Sequence, residues 1–183
     1  KSWFVCDDFL LHDFNTKFDI IIGNPPYIRF DELGERQKHE YRRRYVTFSN
    51  RCDIYIPFFE KSLFLLEKEG VLSFICTNRF TRNRYGTDLR RLISDAFHVA
   101  LYINMEHTQP FQEKVSAYPA IFTIDRRKDA ETLSVSIDDA SRETFARLSL
   151  KGDSPSFSRF RKWYEGDEIW TTTSAAELTE AKR

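Results

Sequence analysis

Glycine is scarce in this 183-residue sequence, with six copies, and no two of them stand in a G-x-G arrangement. A glycine loop of the kind that cradles a nucleotide phosphate is therefore missing from the chain. Cysteine is limited to Cys6, Cys52 and Cys76, an odd number with no C-x-x-C spacing. That excludes a disulfide framework and a zinc ribbon, and it fits a reducing, cytoplasmic setting. His12, His39, His98 and His107 have no Glu or Cys at ligand spacing, so no metal is expected. No apolar run approaches the roughly 18 residues that span a bilayer, so no membrane partner is expected. The opening Lys1-Ser2-Trp3-Phe4-Val5 is neither a signal peptide nor an initiator-Met start, and the chain is expected to belong to a longer polypeptide. An excess of either charge is missing too. With 28 basic and 28 acidic residues the formal net charge is zero, so any surface for a polyanion must be local.

What the chain does have is aromatic bulk: 15% of residues, with 17 Phe against one Met. A Phe-rich core is the first reading of this excess, and stacking surfaces for nucleobases are the second. Patterning predicts alternating strands and helices. Trp3–Val5, Phe18–Ile22, Val71–Cys76, Val99–Ile103, Ala120–Ile124 and Leu133–Ile137 read as strands. A helix is expected from Ile54 to Leu66 with Gly70 at its C-cap, another from Gly86 to Phe97, and a short one from Ser141 to Leu150. Such alternation implies an α/β sheet of largely parallel type. Residues 151–160, rich in Ser, Pro and Gly, read as a linker, and Glu180-Ala181-Lys182 reads as a polar tail.

One tetrapeptide stands apart. Asn24-Pro25-Pro26-Tyr27 follows directly on the strand Phe18–Gly23, where two prolines remove two donors, fix φ and force the strand to stop. Composition alone would produce it in on the order of one in a thousand chains of this length. Its place at a strand's C-terminal end is where α/β sheets bind ligands.

The stretch Phe18–Tyr27 resembles motif IV of the amino-directed DNA methyltransferases of bacterial restriction–modification systems. Asp8-Phe9-Leu10 resembles motif III, and Asp53-Ile54-Tyr55 through Gly70–Ile75 resembles motifs V and VI. Pro110-Phe111 through Ala117 resembles motif VIII. The resemblance covers about residues 3–125 and rests most on motif IV. It implies an incomplete Rossmann-like sheet lacking its first two strands, since the glycine loop and the acidic residue of motifs I and II should precede motif III. Residues 1–128 then form a partial catalytic domain, and 129–183 a C-terminal linker and extension leading toward a target-recognition region. The implied activity is methylation of adenine N6 in double-stranded DNA by S-adenosylmethionine, as part of restriction–modification or phage defence, with the fragment inactive alone.

That chemistry accounts for the residue types. The exocyclic amine of adenine is a poor nucleophile because its lone pair is delocalised into the ring. An Asn24 carbonyl and the fixed Pro25 carbonyl can each accept one N–H and favour localisation of that pair. Tyr27 offers a face on which a flipped base can stack. By the resemblance, Phe111 stacks from the other side, with Tyr118 as its substitute, while Asp8, Phe9, Asn24 and Pro26 border the cofactor. Arg79, Arg82 and Arg84, beside Arg90 and Arg91, are candidates for phosphate contacts or for a solvated helix face. Residues 29–52 carry seven basic and four acidic side chains, read as a charged, partly helical insert. Two other functions stay open: methylation of protein glutamine or RNA amino groups, and a non-catalytic DNA-binding role. Self-association through an unprotected edge of the Phe18–Ile22 strand is also expected.

Overall fold

The computed structural model describes residues 4–49, 51–108, 118–127, 130–148, 157–161 and 163–170. The β-branched run after Phe18 favours extended backbone and forms β1 (Phe18–Gly23). The charged insert contains α1 (Glu35–Arg44), anchored by its one buried side chain, Tyr41. There follow α2 (Tyr55–Leu65), β2 (Leu66–Thr77), α3 (Thr87–Ala96), β3 (His98–Asn104), β4 (Pro119–Asp125), β5 (Thr132–Ser136), α4 (Arg142–Arg147) and β6 (Ser158–Phe160). The six strands among the described residues join one open sheet in the order β1-β2-β4-β3-β5-β6.

The sheet is mixed, not largely parallel. β1 pairs with β2 and β3 with β5 in parallel, whereas β2/β4, β3/β4 and β5/β6 are antiparallel. β3 ends and β4 begins at the same edge of the sheet, where the Met105 amide donates to the Pro119 carbonyl at 3.0 Å, so β4 returns antiparallel and lies between β2 and β3.

Helices α2 and α3 lie against β2 and β3 respectively and touch each other, so they share one face of the sheet. Leu72, Phe74 and Cys76 from β2 and Ala120, Phe122 and Ile124 from β4 meet Phe59, Leu63, Leu89 and Ile93 there. The Phe excess serves this core: Phe59 packs edge-on against Phe74 at 5.1 Å and against Phe122 at 6.3 Å. On the opposite face a smaller cluster of Ile103, Met105, Val135 and Ile137 is joined by Phe145 from α4. Ile20 and Ile22 of the edge strand β1 remain 67% and 79% exposed.

Three sequence expectations change. Gly70 is not a helix cap: α2 ends at Leu65, and Gly70 lies inside β2, where the register with β1 jumps between Phe18↔Leu66 and Ile20↔Val71. A Cβ at Gly70 would stand 2.9 Å from the Phe18 carbonyl oxygen, which is why a glycine accommodates the bulge. The described end of the linker, 157–160, contributes β6 to the sheet. The described parts of 129–183 continue the same sheet through β5 and bury Trp163 and Trp170 in the main core. Phe4 and Val5 are exposed and outside any strand, whereas Trp3 lies outside the described residues.

Candidate active site

β1 and β2 are parallel, so Gly23 and Thr77 bring both strands to one edge of the sheet, and β4 starts there at Pro119. The Asn78 amide donates to the Tyr118 carbonyl at 2.9 Å and fixes this junction. At the end of β1, Asn24 is exposed, Pro25 is buried, and Pro26 and Tyr27 are half-buried. The amide of Ile54 donates to the Ile28 carbonyl at 3.0 Å, tying the segment after Tyr27 to the start of α2. The Tyr27 and Tyr55 rings consequently lie 6.5 Å apart.

The hydroxyl of Tyr27 is buried. Burial, with the Cys76 thiol a lesser cause, pushes this phenol far above its ordinary range. It stays neutral at physiological pH, so Tyr27 is suited to packing and stacking and not to proton transfer. Beneath it, Tyr55 is fully buried with its hydroxyl 3.2 Å from that of Tyr85. Tyr85 lies inside the basic loop, and the sequence gives no sign of its pairing with Tyr55. Half-buried Asp53 precedes Tyr55 by two residues. Burial raises its carboxyl above the usual range, and Arg79 and Arg29 offset this only in part.

On the other flank, the Asp8 carboxylate works inside its own loop. It accepts from the Leu10 and Leu11 amides at 2.9 and 3.3 Å and from the Tyr41 hydroxyl at 2.7 Å. Three of roughly four acceptor positions on a carboxylate are thus used within the described residues. Phe9 stacks on Phe58 with ring centroids 4.8 Å apart. A groove of about 250 Å³ runs beside it, lined by Phe9, Phe14, Phe18, Ile20, Ile21, Ile22 and Leu65. Phe9, Phe14 and Phe18 give this groove an aromatic side that could hold a flat ring. Phe58 was not picked out from sequence, because its helical spacing reads as core.

The basic loop divides by role. Arg79 lies over the Tyr118 ring at 5.8 Å, at the edge where Asn24 emerges. Arg82 and Arg84 are exposed on the two short 3-10 turns Asn78–Thr81 and Arg84–Gly86 and what joins them. Arg90 is a correction: it is buried and donates to the carbonyls of Phe80 (2.6 Å), Asn83 (2.8 Å) and Asp167 (3.0 Å). Its guanidinium holds the loop from inside and cannot reach a phosphate. Arg91 pairs with Asp88 and Asp167. Gly86 permits the tight packing, since a Cβ there would sit 2.0 Å from the Phe80 oxygen. The Trp170 amide donates to the Thr81 carbonyl at 2.9 Å, and its indole packs on Phe80 at 5.6 Å. Phe111 and the rest of 109–117 lie outside the described residues, and Tyr118 is 48% exposed on the same edge. Among the described residues no cluster of three or more metal-ligating side chains occurs, and no helix is long and apolar enough to cross a membrane.

The open α/β sheet, with Asn24-Pro25-Pro26-Tyr27 beyond the C-terminal end of β1, is a Rossmann-like arrangement that solved methyltransferases share. A putative class I S-adenosylmethionine-dependent methyltransferase from Listeria monocytogenes has this fold, with a TM-score of 0.57 and 12% identity over 79% of this chain and 45% of that one. The type IIL restriction-modification enzyme MmeI, solved in complex with DNA, shares it too, with a TM-score of 0.53 and 16% identity over 66% of this chain and 17% of that one. The Eco57I restriction-modification methylase model matches residues 2–111, and the chain belongs to that family. Among its relatives, the type II methyltransferase M.BstVI of Geobacillus stearothermophilus is 36% identical over 95% of this chain and 34% of its own length. M.PaeR7I of Pseudomonas aeruginosa is 38% identical over 99% of this chain and 33% of its own. The chain thus spans about a third of the length of these relatives.

Proposed function

We propose that the full-length protein methylates the N6 amino group of adenine in double-stranded DNA, using S-adenosylmethionine, within a restriction–modification or phage-defence system. The observation that carries this reading is the placement of Asn24-Pro25-Pro26-Tyr27 at the C-terminal end of β1, with Asn24 exposed, Pro25 buried and Tyr27 inserted hydroxyl-first. The bound cofactor supplies an electrophilic methyl group.

The chain's own residues prepare the nucleophile. Asn24 Oδ1 and the Pro25 carbonyl accept the two amino hydrogens and draw the nitrogen lone pair out of conjugation with the purine. Pro25 has no N–H to compete, and its burial holds the carbonyl direction. Tyr27 stacks on the flipped base, an interaction worth roughly 1–3 kcal/mol, and Phe111 closes the slot from the other side, or Tyr118 in its place. Phe9, with Phe58 behind it, offers a surface for the cofactor's adenine, with Asp8, Asn24 and Pro26 at its border. Arg79, Arg82 and Arg84 approach the phosphates beside the flipped nucleotide. No covalent enzyme intermediate is needed.

The test is product identity. Full-length protein is incubated with methyl-labelled S-adenosylmethionine and duplex DNA, and the DNA is digested to nucleosides. Label in N6-methyldeoxyadenosine is the expected result. Label in methylcytosine, or transfer only to RNA or to protein glutamine, would replace this reading.

A further inference from the structure

The insert after Tyr27 contains a run of three arginines that the fold sends in three directions. Arg44 donates to the Leu11 carbonyl and pairs with Asp13 at 3.0 Å, and Arg43 lies 3.6 Å from Glu40. Arg42 turns toward Phe30, with its guanidinium carbon 5.0 Å from the ring centroid. Lys38, four residues earlier on the same helix face, places its ammonium 4.9 Å from that centroid. Arg51 reaches the ring from the far end of the insert at 5.8 Å. Three cations therefore converge on one half-buried phenylalanine, itself packed 5.9 Å from buried Phe48.

Nothing in the core calls for this arrangement. Like charges four apart on a helix destabilise it, and Arg51 is the one described non-glycine residue at positive φ, 57°. Carboxylates offset the charge only partly: exposed Glu35 pairs at 2.7 Å with Lys38, whose side chain is itself largely covered, and Asp31 pairs with Arg51, both exposed. Arg42 is exposed and forms no ion pair among the described residues. An exposed pair such as Arg51–Asp31 is weak and exchanges readily for a stronger anion.

We propose that Arg42 and Arg51, gathered on Phe30 with half-buried Lys38 adding its charge, form a second phosphate-binding surface that grips the DNA strand carrying the flipped adenine. This rests on the reading that the protein acts on DNA. Phe30 follows Tyr27 by three residues, so the two lie at most about 11 Å apart along the chain. One strand of a duplex advances about 3.4 Å per nucleotide, which puts the patch within roughly three nucleotides of the base pocket. The cluster is separate from Arg79, Arg82 and Arg84, which sit on the loop after β2, and together they would hold the strand on both sides of the flipped base.

The test measures duplex DNA binding by the full-length protein across a salt series. Arg42→Glu is compared with Arg43→Glu, which makes the same charge change on the adjacent, differently directed side chain. Each phosphate contact contributes about 0.9 to the slope of log affinity against log salt, so losing one at 0.1 M salt costs roughly tenfold. Arg42→Glu is expected to weaken binding by at least that factor and to flatten the slope by about one, while Arg43→Glu leaves both near parental values. Arg51→Gly keeps the left-handed backbone without its side chain and should flatten the slope similarly without disturbing the loop. Equal effects of Arg42→Glu and Arg43→Glu, or no effect of either, would overturn the patch while leaving the DNA reading intact. Parental protein that fails to bind DNA would overturn both.

Discussion

Replacing Arg90 by Met should be among the most damaging single changes in the chain, although Arg90 touches no substrate. Its guanidinium satisfies the Phe80, Asn83 and Asp167 carbonyls and lies 3.3 Å from the Thr87 hydroxyl. Hydrogen bonds to a charged group contribute about 1.5–3 kcal/mol each, and the cost of burying the guanidinium takes back several kcal/mol. Methionine recovers the packing and that desolvation cost but leaves carbonyls facing an apolar stem, so the net loss is about 3 kcal/mol. For a domain of this size that lowers Tm by roughly 6–12 °C. Thermal unfolding followed by circular dichroism reads the shift directly. Arg91→Met provides the contrast, because it removes exposed pairs with Asp88 and Asp167 and should cost less than about 1 kcal/mol. If Arg90→Met melted within about 2 °C of the parent, the guanidinium would not be what holds the loop bearing Arg79, Arg82 and Arg84.

Asp125 gives a pH-dependent case. Burial alone would raise its carboxyl, but His98 Nδ1 at 3.2 Å and hydrogen bonds from Arg127 outweigh it and hold the group below the usual range. A lowered native pKa stabilises the fold above the unfolded value of about 3.9 and loses that contribution as pH falls through the native value. Asp125→Asn should therefore cost about 2 kcal/mol at pH 7, with the gap to the parent closing below about pH 4; a gap constant down to pH 3 would contradict the assignment. The free edge of β1, with Ile20 and Ile22 exposed, should drive self-association of the 183-residue chain. Light scattering should show dimers or larger species that Ile20→Lys/Ile22→Lys dissociates, and a clean monomer at high concentration would refute this.

Much of the fold could be read from residue patterns, and the reasons for the rest are local. The strand ending in Asn24-Pro25-Pro26-Tyr27 was legible because two prolines admit few conformations. Helices α2 and α3 were legible through their apolar stripes. Arg90 reads in the sequence as a surface charge, although it stands one position from Leu89 and three from Ile93, both buried. A charged residue at that spacing can turn inward only if backbone carbonyls await it, and those come from residues 80, 83 and 167, a match no local pattern displays. Gly70 looked like a cap because helix and strand abut with no loop between them. Trp163 and Trp170 carried no periodicity since they fill the core from an irregular segment, pinned by contacts such as Gly166 N–H to Ser94 Oγ at 2.8 Å. At the site, Tyr85 and Phe58 were hidden for a similar reason: their roles depend on partners distant in sequence, Tyr55 for the one and Phe9 for the other.

The central claim concerns Asn24, and single-turnover methylation separates its chemistry from binding. Full-length Asn24→Ala protein, preloaded with labelled S-adenosylmethionine and saturated with duplex DNA, loses an acceptor required only as the amine becomes nucleophilic. By analogy with removal of one preorganised polar group, the methyl-transfer rate should fall by about 10²-fold or more. DNA affinity measured on the same preparation should stay within about threefold of the parent, the scatter expected when a contact matters only in the transition state. A variant that methylates adenine at near the parental rate would contradict the assignment of Asn24, and with it the base pocket at the end of β1.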